Sequence, residues 1–288
     1  MRHPQLKQLA LAATLAFATF AAQAEAPYSF AATPGKLPKN VVPVLYTAHL
    51  VPNLADNTFT GSQTVDIDVL TPTSRIMLNA ANIKIDGASL SGAGFRELAL
   101  RPQVDEKEET VTFDVDRQLA PGRYQLALKF RGEINREARG MFHMDYKAGS
   151  AAKKMLATTM EPTDARRMLP TWDEPAFRAS FKLTVDVPSS FKAYSNTPVE
   201  KQETLAGGMQ RIRFGATPKM PSYLVVLVAG ELERIGARHD GVDIGVVTTE
   251  GKQASAVFAL ESTKRLLGYF NNYFGQPYPL AKLDQIAI

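Results

Sequence analysis

The chain contains no cysteine. That absence excludes a disulfide framework, a thiolate metal site, a cysteine nucleophile and the lipid-bearing cysteine of a lipoprotein signal. Histidine is sparse: His3, His49, His143 and His239 lie far apart, and no His-Glu-x-x-His occurs. A helical zinc site needs two imidazoles on one face and a third ligand, so the spacing provides no metal site. There is no Gly-x-Ser-x-Gly nucleophile turn and no phosphate-binding glycine loop. No catalytic residue can therefore be named within these 288 residues. A strong excess of either charge is also absent. The net charge is +4, and setting aside the two positive charges of Arg2 and Lys7 leaves +2, too little for a nucleic-acid partner.

Long apolar runs are missing except at the N-terminus. Arg2, His3 and Lys7 precede the apolar stretch Leu9 to Ala22, and Ala22-Gln-Ala24 fits the small-x-small cleavage pattern. Residues 1–24 are thus predicted to be a signal peptide, with Glu25 as the new N-terminus. Some 14 apolar residues fall short of the roughly 20 that span a bilayer, so no stable membrane anchor is expected after cleavage. The address this implies is periplasmic or secreted.

What is present is ordinary globular composition, 45% hydrophobic and 22% charged, arranged mainly for β-structure. Val65, Ile67 and Val69 alternate with Asp66 and Asp68. Tyr124, Leu126, Leu128 and Phe130 repeat the period of two, as do Phe181, Leu183, Val185 and Val187. The charged tip Asp105-Glu-Lys-Glu-Glu109 reads as a solvated hairpin turn. Ser222 to Gly230 is a continuous apolar run, predicted to be one strand buried on both faces, and Val242 to Thr249 another strand. The period then changes. Leu260, Thr263, Leu267, Phe270 and Phe274 mark one face of a helix over about 252–274, with Gly275 at its C-cap, and Leu283 to Ile288 begins a further β-run. The expected organisation is an all-β, sandwich-like antiparallel domain over 27–240 and an incomplete second domain over 241–288.

One loop stands apart: Met160-Glu-Pro-Thr-Asp-Ala-Arg-Arg-Met-Leu-Pro-Thr-Trp-Asp-Glu-Pro-Ala-Phe177. Glu161 follows the strand-like run Met155 to Met160 and precedes a proline, which restricts its backbone. A fixed carboxylate at a strand end suits a cationic ligand, and a charge-assisted hydrogen bond there is worth about 1.5–3 kcal/mol. A pair with Arg166 or Arg167 is the competing arrangement. Asp173 and Glu174 read as structural, pairing the arginines or satisfying loop N–H groups. Trp172 reads as core.

The run from Glu161 to Phe181 resembles the signature loop of zinc aminopeptidases of the aminopeptidase N type, members of the gluzincin group. Gly140-Met-Phe-His143, Pro221 to Gly230 and Phe274-Gly-Gln-Pro-Tyr-Pro-Leu-Ala-Lys-Leu-Asp284 resemble further segments of that family in the same order. The resemblance implies a saddle-shaped N-terminal β-domain followed by the start of a thermolysin-like α/β catalytic domain. It also implies a zinc cofactor in the complete enzyme, peptide substrates with a free N-terminus, and Glu161 as the residue that binds the substrate α-amino group. Where the family usually has glutamine, this chain has Thr159, which offers no amide. The family's zinc ligands and general base would fall beyond Ile288, so the chain alone is expected to be inactive and to bind no zinc. Two other classes fit the β-pattern. One is a non-catalytic interaction module of the same family; the other is a carbohydrate-binding β-sandwich, which would favour a row of exposed aromatics.

Overall fold

A computed structural model describes residues 29–92 and 94–287. The predicted signal peptide, its cleavage site at Ala24 and the terminal Ile288 lie outside them. Residues 29–34 form a turn closed by the Thr33 N–H on the Ser29 carbonyl at 3.1 Å. From Gly35 onward the chain is one compact unit.

Within that unit the strands run, in order, β1 (Val41–Asn53), β2 (Thr58–Val69), β3 (Thr73–Asn79), β4 (Ile83–Gly92), β5 (Phe95–Ala99), β6 (Pro102–Asp105), β7 (Thr110–Leu119), β8 (Gly122–Glu133) and β9 (Gly140–Ala148). They continue with β10 (Ala151–Thr159), β11 (Ser180–Pro188), β12 (Lys192–Ser195), β13 (Val199–Leu205), β14 (Met209–Phe214), β15 (Leu227–Gly230), β16 (Leu232–His239) and β17 (Val242–Thr249). Helix α1 (Val257–Phe274) and β18 (Lys282–Ala287) follow. The largest sheet has the order β13-β14-β11-β1-β2-β8-β4-β5; the others are β12-β15-β10-β9, β3-β7-β6 and β16-β17-β18. Pairing is antiparallel except for β1 with β11 and β17 with β18.

The period-two segments form strands because one face is buried. Val65, Ile67 and Val69 on β2 are buried, as are Tyr124, Leu126, Leu128 and Phe130 on β8. On the opposite face the carboxylates meet cross-strand partners: Asp68 takes a hydrogen bond from Arg123 Nε at 3.2 Å, and Asp66 one from Gln125 Nε2 at 2.8 Å. The run 222–230 is not one strand. Ser222–Leu224 make a single 3-10 turn, and only Leu227–Gly230 pair as β15, all four of them buried. Ser222 is drawn out of line because its hydroxyl donates to Asp173.

Asp240 (φ +50°) and Gly241 (φ +79°) form the two-residue turn of the β16–β17 hairpin, as an Asp-Gly pair favours. Leu232 on β16 and Val247 on β17 share a core with Val228, Met155 and Phe142 of the four-stranded sheet, so that core crosses residue 240. Helix α1 ends at Gly275 in the left-handed conformation (φ 64°), its N–H bonding the Asn271 and Asn272 carbonyls. Leu260, Thr263 and Leu267 of its predicted stripe are buried, Leu260 and Leu267 sharing a cluster with Val242, Ile244 and Val246. Phe270 and Phe274 of the same stripe are 47% and 68% exposed, because the cluster built on the β16–β17–β18 sheet ends with Leu267. Among the described residues no helix is long and apolar enough to cross a membrane.

Candidate functional site

The site is built where β10 ends. Thr159 pairs with Gly140 in the register of β9 and β10, and its side chain faces solvent. Thr159 and Glu161 are exposed on either side of buried Met160. The Glu161–Pro162 peptide bond is cis. The Asp164 N–H then returns to the Met160 carbonyl at 2.9 Å, closing a turn with Glu161 at its outer edge. A 3-10 turn follows at Ala165–Arg167, and Met168, Leu169, Trp172 and Phe177 anchor the rest of the loop in the core.

Polar contacts fix what the apolar anchors leave free. The Tyr46 hydroxyl accepts from Thr171 Oγ1 at 3.0 Å and from the Trp172 N–H at 3.2 Å, and its ring stacks on Phe181 with centroids 4.7 Å apart. Burial holds the Tyr46 hydroxyl far above its ordinary pKa, so it stays neutral. Asn79 and Thr171 exchange backbone hydrogen bonds at 2.8 and 2.9 Å, which ties the loop to the end of β3. Gln63 Nε2 donates to the Pro170 carbonyl at 2.6 Å.

Both arginines of the loop are ion-paired with other acids, and neither meets Glu161. Arg166 Nε reaches Asp173 Oδ2 at 3.0 Å and its Nη1 reaches Glu109 Oε2 at 3.1 Å. Arg167 Nε reaches Asp164 Oδ1 at 2.8 Å and its Nη2 reaches Glu109 Oε1 at 2.8 Å. Asp164 also takes Arg139 Nη2 at 3.1 Å. Burial pushes the Asp164 carboxyl up, but the bonds from Arg139 and Arg167 outweigh it and hold the group below the usual carboxylate range. Asp173 and Glu174 are structural as read from sequence. Asp173 accepts from Arg166 and Ser222, and Glu174 Oε1 accepts the Lys36 and Leu37 N–H groups at 2.6 and 2.9 Å. Among the described residues no hydrogen bond or ion pair occupies the Glu161 carboxylate.

Glu109 is the residue that sequence reasoning passed over. Read as part of a solvated tip, it instead bridges both loop arginines from 57 and 58 residues away. No local pattern marks it, since its partners are set by the packing of the β6–β7 hairpin against the loop.

The profile of the peptidase M1 N-terminal domain matches residues 42–224. The chain belongs to the peptidase M1 family. That domain runs from β1 to the 3-10 turn at Ser222 and contains the whole Glu161 loop. Over 266 residues the chain is 37% identical to aminopeptidase N of Acetobacter pasteurianus, covering 92% of this chain and 74% of that protein. It is 38% identical to aminopeptidase M1-C of Oryza sativa subsp. japonica over 254 residues, and 34% identical to the puromycin-sensitive aminopeptidase of Caenorhabditis elegans over 257. Each of those matches takes in 88% of this chain but only 29% and 27% of the relatives' lengths.

Peptidases of the M1 family use zinc, and the described residues do not fit one. No three His, Cys, Asp or Glu side chains among them converge. His49 Nε2 lies 3.0 Å from Asp186, His143 is buried with neither ring nitrogen hydrogen-bonded, and His239 sits beside Asp240 at 3.7 Å. What this M1 domain offers is a rigid loop carrying one free, exposed carboxylate.

Proposed function

We propose that this chain is the N-terminal part of an exported zinc aminopeptidase, and that Glu161 binds the free α-amino group of a peptide substrate. A free α-amino group has a pKa of about 7.7–8.0 and is largely cationic at neutral pH, so an unpaired carboxylate is its natural partner. The carrying observation is that Arg166 and Arg167 are neutralised by Glu109, Asp164 and Asp173, which leaves Glu161 free. The loop around it is clamped by core side chains and ion pairs, so the backbone that presents the carboxylate is set before substrate arrives. Such preorganisation places the first peptide bond at a fixed distance from the anchor. The zinc supplies the activated water when bound; its ligands belong to residues outside this chain, whose own part is binding and orientation. The predicted signal peptide supports a periplasmic or secreted address.

The test uses the full-length enzyme. Glu161→Ala should lower kcat/KM on free peptides by a factor of roughly 30 to 1,000, the loss of a charge partner worth about 2–4 kcal/mol. N-acetylated peptides should be poor substrates for both proteins. A variant that melted many degrees lower but kept full efficiency per folded molecule would make Glu161 a structural residue.

A further inference from the structure

We propose that Glu109, at the tip of the β6–β7 hairpin, is a positioning residue that keeps Glu161 available by holding Arg166 and Arg167 away from it. This rests on the reading of Glu161 as the amino-group anchor and adds a residue from a different part of the chain.

The geometry forms a line of alternating charge: Arg139, Asp164, Arg167, Glu109, Arg166 and Asp173. Its links measure 3.1, 2.8, 2.8, 3.1 and 3.0 Å. Glu109 is the central acid, and each of its oxygens takes one guanidinium. The two arginine side chains are only 11% and 13% exposed. Each arginine keeps one further acid, Asp173 or Asp164, but without Glu109 the line carries one uncompensated positive charge in a poorly solvated place, which would draw in another carboxylate. Glu161 lies in the same loop, is exposed and has no competing partner. It would be the acceptor to which a released guanidinium could turn, and that pair would compete directly with a substrate ammonium.

Glu109 is itself fixed. Its backbone takes φ +53°, and its carbonyl accepts the Ala80 N–H at 2.9 Å. Asp105 Oδ1 accepts the Lys107 and Glu108 N–H groups at 3.0 Å each, which sets the turn that delivers Glu109. On the far side, Arg167 holds Asp164, whose N–H closes the turn bearing Glu161. The hairpin tip therefore reaches the turn that bears Glu161 along one path, by ion pairs from Glu109 through Arg167 to Asp164 and then by the Asp164 N–H on the Met160 carbonyl.

The experiment compares Glu109→Gln, Glu109→Asp, Glu161→Ala and the Glu109→Gln/Glu161→Ala double variant in the full-length enzyme, with melting measured alongside. Glu109→Gln should raise KM for free peptides about tenfold while kcat moves less than about twofold, since an arginine then competes for the anchor in the ground state. Glu109→Asp, which keeps the charge on a shorter stem, should fall between it and the parent. The double variant should match Glu161→Ala within about twofold, because the effect of Glu109 passes through Glu161. If Glu109→Gln does not fold, a KM increase in Glu109→Asp that disappears in the Glu161→Ala background carries the test. An unchanged KM beside a strongly impaired Glu161→Ala overturns the role of Glu109 and leaves the amino-group reading standing. So does a loss that multiplies with that of Glu161→Ala. An unimpaired Glu161→Ala overturns the amino-group reading first, and this inference with it.

Discussion

Gly140 lies directly beneath Arg167: a Cβ placed on Gly140 would stand 2.7 Å from the Arg167 Cβ and 3.1 Å from the Asp164 carbonyl oxygen. The same residue has φ +61°, in the left-handed region. Its missing side chain is what lets the Glu161 loop close against the start of β9. Gly140→Ala combines left-handed backbone strain, about 1 kcal/mol, with a contact that backbone must relieve, about 1–3 kcal/mol. The variant should melt several degrees below the parent by calorimetry; an unchanged melting temperature would mean the loop does not sit on β9 this closely.

His143 sets a pH dependence. It faces Leu156 across the β9–β10 pair, is 8% exposed, and has no hydrogen bond on either nitrogen. Burial lowers its pKa, and the positive charges of Lys154 and Arg136 act in the same direction against a raising effect from Asp145, 3.8 Å from Nδ1. A folded-state pKa below the unfolded value of about 6.5 means the neutral form is the one the fold accepts. Its contribution is complete above about pH 6.5 and is lost as pH falls through the lower folded value. Asp164 and Asp186 are held below the usual carboxylate range and do not titrate in that window. The gap in melting temperature between the parent and His143→Leu should therefore shift against the parent on going from pH 7.5 to pH 5.5. A gap independent of pH would place the imidazole in water.

What could be read from the sequence was what a single period or a single bond decides. The strands carrying Val65, Tyr124 and Phe181 were legible because burial of one face forces strict alternation. Gly275 was legible because a left-handed cap admits few residues. The run at 222–230 misled because Ser222 answers to Asp173, 49 residues away. The stripe on α1 told which face is apolar but not how far its partner cluster extends: Leu260 and Leu267 are buried, while Phe270 and Phe274 stay exposed. Glu161 stood out by its loop, yet whether it would meet the arginines depended on Glu109, which only the folded chain brings alongside them.

The shared core across residue 240 bears on truncation. Ending the chain at residue 240 removes β17 from the β16–β17 hairpin and takes Val247 from the cluster that covers Val228 and Leu232. Losing the burial of Val247 costs about 1.5–3 kcal/mol, and an unpaired β16 adds an exposed edge. A 27–240 fragment should melt lower than the 288-residue chain and bind more of a hydrophobic dye. Equal melting curves would show that the hairpin contributes no stability to the β-domain.

Thr159 and Glu161 flank buried Met160 and both face solvent, so they are the two side chains that the end of β10 presents together. Their chemistry differs. A hydroxyl offers one neutral hydrogen bond, worth about 0.5–1.5 kcal/mol, whereas a carboxylate facing an ammonium contributes charge as well. In the full-length enzyme Thr159→Ala should lower kcat/KM by about two- to tenfold at most, well short of the loss expected from Glu161→Ala. Neither change removes core volume, so melting should stay within about one or two degrees of the parent in both. The comparison is cleanest on one peptide and its N-acetyl form. If Glu161 reads the ammonium, Glu161→Ala should narrow the preference for the free peptide, while Thr159→Ala should leave that preference intact. Should Thr159→Ala erase the preference and Glu161→Ala keep it, recognition of the amino group would have to be moved off the carboxylate.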